Sequence, residues 1–529
     1  MIKVLKGLVA ICSKDGFVLL AIIFAIILRM DYELKFADFY ADKSYQVYAA
    51  KSINDGTGCS IVTADPNDLS KDLYRNLEGY PPGYSYLIAF LSPTISYHNA
   101  ANIIDVLAII LLVVATFVIL KNLEIKNVLK VLFLFFIAIT PSPFGYLSST
   151  DLLVSSFFMA SIAFFIKLYR KPGFLNTRSQ HRIFLGVLIY VPLYFKYSAL
   201  PLILVIPGVL IILSIIHKNI KYFLHASMAL LVVLVLFVMQ KLILPDYPKE
   251  KVFANGFFPK QLLQMDDFAF KAFYYLEFYI TAIKASFQGI GSILTIASLL
   301  ISFGLIFFII YDAAQRIKAK NKDAFTLFSF ITAVCVALLL GFLSFLSLRI
   351  PGETWQNPPW TYVEETRYYA SAMILLQVFI FIYALSNKGI LAKGLKYFIF
   401  GALIFSSLYW LKQNYNLYIA GNDAYTFASN YKKQLDICSY ITPLKRDGEK
   451  IIYCSTSEQE CIFNAIHAPI DNIIDFRALI KSNLESSSPL KLFIHCSKQE
   501  MDTLLLKFPW IHLKTIKNND ELSLYLINI

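Results

Sequence analysis

Apolar runs of about membrane-spanning length alternate with short polar loops along the chain as far as about residue 411. A helix crosses the hydrocarbon core with about 20 apolar residues, in a range of about 17 to 25. On that measure the runs lie near 9-30, 99-120, 128-147, 150-167, 183-195, 198-216, 222-244, 291-311, 325-348, 368-386 and 396-411. About eleven spans are therefore predicted. The run at 183-195 is short, and Pro201 and Pro207 interrupt its neighbour.

Beyond residue 412 the pattern changes. "EKIIYCSTSEQECIFNAI" and "LKLFIHCSKQEMDTLLLKF" each read as a buried strand followed by an amphipathic helix. "WIHLKTIKNNDELSLYLINI" reads as two strands around Asn518-Asn519-Asp520. The expectation is a transmembrane domain over 1-411, with 31-98 as a first external loop bearing interfacial helices, and a small α/β domain over 412-529.

Within that loop, residues 42 to 53 suit a helix at the membrane surface: Tyr45, Tyr48, Ala49 and Ile53 recur at helical spacing, while Lys43, Lys51 and Asn54 point elsewhere. Gly56 and Gly58 would end it.

Composition agrees with a membrane protein. Mean hydropathy is +0.59 and only 16% of residues are charged, against about 25% in soluble domains. The formal charge of +12 falls mostly in short loops, where it sets orientation, and no basic stripe interleaved with exposed aromatics points to nucleic acid. Lysine- and arginine-rich loops at 167-182, 217-221, 315-322 and 387-396 fall on one side when the spans are threaded alternately. That side is the expected cytoplasm, with the amino terminus inside and the carboxyl terminus outside. The first run follows Lys3, Lys6 and Lys14 but has no small-residue cleavage site, so it reads as a retained span. The 7 cysteines show no zinc spacing. Four of them, Cys438, Cys454, Cys461 and Cys496, fall in the tail, where disulfides and buried thiols are both open.

Asp38 and Asp42 are four apart and would share a helix face. A carboxylate held beside tyrosine rings at the bilayer boundary is desolvated, which strengthens it as a proton acceptor. On spacing alone, the plainer role of Asp42 as a helix cap is the favoured one. The order Asp42, Tyr45, Ala50, Ile53, Gly56, Gly58 resembles the first external loop of the GT-C superfamily of membrane glycosyltransferases. Further along, "GYPPGYSYLIAFL" (79-91) is similar to the Pro-Pro helix that returns that loop to the membrane. "SSTDLLVSSFFMASIAFF" (148-165) is similar to a span with an Asp at its external start. "FKYSALPLIL" (195-204) sits where relatives carry Arg/Lys-Tyr-Ser/Thr, and "ETRYYASAMILL" (365-376) matches an Arg-Tyr that opens a late span.

The resemblance covers roughly residues 10 to 410 and is nearest to the protein O-mannosyltransferase and lipid A aminoarabinose transferase branch. It departs at Lys43, where many members carry a second acid.

The resemblance implies a polyprenyl-phosphate sugar as donor and a lipid, glycan or protein acceptor at the outer face of a bacterial inner membrane. It implies Asp42 as general base, and Asp151, Lys196, Arg349, Arg367, Asp38 and Tyr45 as substrate-binding candidates. No metal-ligand set and no certain cofactor are expected, with a divalent cation left open. Plainer roles stand beside these: Lys196 snorkelling to the interface, Asp151 favouring a helix amino terminus, Arg367 anchoring a span. The aromatic and acidic segment 349-367 suits a membrane-interface belt as well as a sugar site. A transporter or flippase of lipid-linked saccharides is the rival function, weakened by the lack of an inverted repeat of spans. A catalytically inactive scaffold is a third.

Overall fold

A computed structural model describes residues 20, 22-28, 41-77, 80-139, 149-176, 179-243, 257-265, 291-319, 323-350, 366-386, 390-420, 435-446, 448-517 and 523-529. The chain divides into two compact units. One is formed chiefly by Asp105–Gly145 and Ser149–Asn414, the other by Tyr32–Ile104 and Tyr415–Ile529.

The first unit is helical. Among the described residues, seven helices are long and apolar enough to cross a membrane: Tyr97–Asn122, Thr150–Tyr169, Tyr197–His217, Ile220–Leu242, Leu299–Lys318, Ala324–Arg349 and Lys393–Lys412. Leu129–Ile139 and Tyr369–Leu385 are shorter apolar helices, and Ser179–Phe195 occupies the short run near 183-195. Much of the expected first span, 9-30, lies outside the described residues. This is a multi-pass membrane protein, and its surface agrees: Leu234, Phe303 and Phe307 are more than half exposed along apolar helices, an arrangement suited to lipid rather than water.

Interhelical packing follows from side-chain size. Helix Ser149–Tyr169 packs against Ser179–Phe195, which packs against Ile220–Ile243. At that second crossing a Cβ on Gly186 would come within 2.7 Å of Val232 Cβ, so only glycine admits so close an approach. Helix Ala324–Arg349 contacts Gly291–Lys318, Thr366–Ser386 and Val205–His217. Asp323 starts it, its carboxylate accepting from the Thr326 amide.

The second unit holds a seven-stranded sheet: β1 (Ser60–Asp65), β2 (Asp68–Asn76), β3 (Lys450–Ser455), β4 (Asn472–Asp475), β5 (Leu490–Cys496), β6 (Lys514–Lys517) and β7 (Ser523–Asn528). The order is β2-β1-β4-β3-β5-β7-β6, with the central pairs β1/β4, β4/β3 and β3/β5 parallel. Alternation along β3 builds two cores. Ile451 and Tyr453 face one, with Phe493 and helix residues Tyr48 and Ile462; Ile452 and Cys454 face the other, with Leu492, Met501 and Leu504. A sheet covered on both faces needs apolar residues on both, which is why β3 and β5 read as continuous buried runs.

Both expected strand-helix pairs form: β3 leads to helix Glu458–His467 and β5 to helix Lys498–Lys507. The sheet is nonetheless wider than the carboxyl-terminal sequence suggests. Its β1-β2 hairpin comes from the segment 31-98, far from the tail in sequence, and Thr63 of β1 pairs with Ile473 of β4. The turn is an Asx turn, the Asp65 carboxylate accepting from the Asn67 amide at 2.8 Å.

The four tail cysteines are buried free thiols. Burial pushes the Cys438 thiol up to about 12 and those of Cys454 and Cys461 well above the usual range.

Candidate active site

Asp42 stands in the first turn of helix Ala41–Asn54; its side chain, and the whole of Asp38, lie outside the described residues. The helix has nearly the predicted bounds but a different setting. Val47, Tyr48, Ala49 and Ala50 are buried, and so are Lys43, Ser44, Gln46 and Ser52. It is a core element of its unit, packed against helices Gly83–Leu91 and Glu458–His467, not an amphipathic helix with one wet face. Four of its polar residues are buried along with its apolar ones, so the periodicity of the sequence undercounts its contacts.

Lys43, expected to point away from the apolar face, is buried and donates to Asn102 Oδ1 at 2.8 Å. Lys51 donates to the carbonyls of Ala465 and Ile470 at 2.7 and 2.9 Å, satisfying acceptors at the carboxyl end of helix Glu458–His467. Burial lowers the Lys51 pKa, while Asp55 and Asp471 partly restore it. Gly56 and Gly58 end the helix with φ of +80°, a conformation that side chains with a Cβ rarely adopt. The Tyr45 hydroxyl donates to Glu458 Oε2 at 2.7 Å, and Arg75 pairs with the other oxygen of the same carboxylate.

In the helical unit, Asp151 and Lys196 meet. Asp151 lies in the first turn of helix Ser149–Tyr169, where the helix dipole favours a carboxylate. Lys196 has extended backbone (φ −156°, ψ 130°) at the break between helix Ser179–Phe195 and the 3₁₀ turn Tyr197–Ala199. That break frees its side chain from a helical course. The Lys196 ammonium donates to both Asp151 oxygens at 2.8 Å, with side-chain exposures of only 7% and 5%. Lys196 does not snorkel: its charge is matched by a carboxylate. One turn beyond Asp151, the Ser155 hydroxyl lies 3.0 Å from that of Ser371, both buried.

Arg349 ends helix Ala324–Arg349, half-buried, and makes no ion pair with a described residue. Arg367 is the second residue of helix Thr366–Ser386, as the Arg-Tyr motif predicts, but its side chain lies outside the described residues. The segment 351-365, with Glu353, Glu364 and Glu365, lies outside them too. Among the described residues no group of three or more His, Cys, Asp or Glu could hold a metal ion.

One polar cluster escaped the sequence reading. Glu460 accepts from the Tyr453 hydroxyl at 2.6 Å and the Ser455 hydroxyl at 2.9 Å, and pairs with the His495 ring. Burial alone would raise its pKa; the His495, Tyr453 and Ser455 contacts outweigh burial and hold it below the usual value. Ser455 and Glu460 lie five positions apart in sequence, but His495 arrives through the β3/β5 pairing, in which it stands opposite Ser455.

Two solved structures share the fold of this chain over nearly the whole of both chains. ArnT from Cupriavidus metallidurans bound to undecaprenyl phosphate aligns with a TM-score of 0.54 at 10% identity, over 97% of this chain and 98% of that one. Its apo form gives 0.53 at 11% identity over the same shares. The chain has the fold of these ArnT structures. The archaeal oligosaccharyltransferase AglB from Archaeoglobus fulgidus, in complex with an inhibitory peptide and a dolichol-phosphate, is more remote, at TM-score 0.44 and 12% identity over 85% of this chain and 64% of that one. No family model matches the sequence, and no curated protein matches it. That fold here comprises a helical membrane part and a small sheet-bearing unit that includes the carboxyl-terminal segment.

Proposed function

We propose that this chain is a glycosyltransferase that moves a sugar from a polyprenyl-phosphate donor to a lipid, glycan or protein acceptor on the outer face of a bacterial inner membrane. The observation that carries this reading is the GT-C fold running through 97% of the chain, shared with a protein crystallised with undecaprenyl phosphate. Fold alone does not set chemistry; the residues supply the rest of the support.

The acceptor hydroxyl gives its proton to the Asp42 carboxylate as its oxygen bonds to the anomeric carbon. The bond from that carbon to the lipid phosphate breaks, its electron pair leaves with the phosphate, and the configuration at carbon inverts. A phosphate leaving in a low-dielectric setting needs fixed cations. Arg349 and Arg367 take that role, guanidinium groups matching two phosphate oxygens at once. Lys196 contributes less, because Asp151 already matches its charge; the pair fixes the break between two helices. Asp38 and Tyr45 help to position the acceptor, Tyr45 through the orientation that Glu458 gives its ring.

The experiment compares a strain lacking the protein with the same strain carrying wild type or Asp42→Asn. Polyprenyl-phosphate sugars are extracted and weighed by mass spectrometry, alongside envelope lipids and glycans. A transferase predicts that one polyprenyl-phosphate sugar accumulates, that one envelope component loses a sugar mass, and that only wild type reverses both. A flippase predicts restoration by Asp42→Asn as well, and that result would overturn the proposal.

A further inference from the structure

The helical unit contains a cavity of about 370 Å³ whose lining includes none of the residues given a role in the transfer reaction. Leu129 of helix Asn127–Ile139, Phe381 of helix Thr366–Ser386, and Ile399 and Phe400 of helix Ile390–Ala420 line it. Its floor is apolar and closed, Phe381 and Ile399 being 3% and 1% exposed, whereas Phe400 is 44% exposed at the margin. Two lysines also line it, Lys126 just before the first of these helices and Lys396 near the start of the last, and both are exposed. No acid is among the lining residues. The acid nearest Lys126 in sequence, Glu124, is paired with Arg170 at 2.9 Å. Lys393 stands one turn before Lys396 and adds a third exposed cation to that segment.

An apolar slot between membrane helices, with cations and no anions in its wall, matches one class of ligand in shape and charge. The geometry points to a binding site for an anionic phospholipid: an acyl chain lies against Leu129, Phe381 and Ile399, and the phosphate of the head group is held by Lys126 and Lys396. Lys396 falls in the basic segment 387-396 that the positive-inside pattern assigns to the cytoplasm, and alternate threading of the predicted spans puts Lys126, in the turn between the runs 99-120 and 128-147, on the same side. Basic pockets between helices on that side suit anionic head groups, since the inner leaflet supplies them and the low-dielectric surroundings strengthen each contact. The site is independent of the proposed transfer reaction and would bind a structural or regulatory lipid on the side opposite to it.

The test uses the full chain, purified, delipidated and titrated with phosphatidylglycerol or phosphatidylcholine of the same acyl length, with retained lipid counted by native mass spectrometry. Each lysine near an anionic head group favours binding by about fivefold, so two give a preference of about 25-fold for phosphatidylglycerol. Lys126→Gln with Lys396→Gln is expected to abolish that preference, and Lys126→Arg with Lys396→Arg to keep it. Inorganic phosphate and glycerol 3-phosphate, added at millimolar concentration, are expected not to displace the lipid. Equal retention of both lipids by wild type, a Gln variant as selective as wild type, or displacement by inorganic phosphate would each overturn the proposal. Thermal midpoints in detergent separate a loss of binding from a loss of fold.

Discussion

Removing one partner of the Asp151-Lys196 pair should destabilise the helical unit far more than removing both. At 2.8 Å and an effective dielectric constant of about 20, the attraction between the two charges is about 6 kcal/mol. Desolvation costs several kcal/mol for each ion, so the intact pair contributes little net stability. Lys196→Met leaves the Asp151 carboxylate 5% exposed with no counter-charge from Lys196, and Asp151→Leu does the reverse to Lys196. Each single change is expected to cost about 3 to 5 kcal/mol, whereas the double change is expected to cost less than either. Denaturant unfolding in detergent, followed by tryptophan fluorescence and read as a double-mutant cycle, measures the coupling. Losses that simply add, or singles indistinguishable from wild type, would refute the assignment of a matched buried pair.

Other predictions concern the sheet-bearing unit. Gly56→Ala and Gly58→Ala force a Cβ onto residues at φ +80° and should each cost about 1 kcal/mol, seen as a lower unfolding midpoint. Cys438, Cys454, Cys461 and Cys496 should resist maleimide at pH 7 and react once denaturant is added, because buried thiols with raised pKa values supply almost no thiolate. Burial depresses the His467 pKa to about 4, so the unfolded chain binds the extra proton between about 6.5 and 4. His467 should therefore cost the unit stability as pH falls through that window, by at most about 3 kcal/mol, and His467→Phe should flatten the slope of midpoint against pH.

The parts of this fold that were legible in the sequence are those fixed by local rules. Apolar length marked the spans, the glycine pair marked the end of helix Ala41–Asn54, and strand-then-helix periodicity marked Lys450–Ser455 with Glu458–His467 and Leu490–Cys496 with Lys498–Lys507. Long-range pairing decided the rest. Ser60–Asp65 and Asp68–Asn76 alternate around Asp65-Pro66-Asn67, a turn signal visible in the sequence, yet nothing local says that this hairpin joins a sheet built some 400 residues later. The burial of Lys43 depends on Asn102, and the capture of Lys196 on Asp151, contacts that bridge 59 and 45 positions. A lysine in an apolar stretch signals that a partner exists, not which one.

The assignment of Asp42 as the base is tested most directly by the activity of one variant. In membranes containing equal amounts of folded wild type and Asp42→Asn, turnover of the polyprenyl-phosphate sugar that accumulates in the deletion strain should fall by about two to four decades, with donor binding little changed. Unchanged turnover by folded Asp42→Asn would contradict the account.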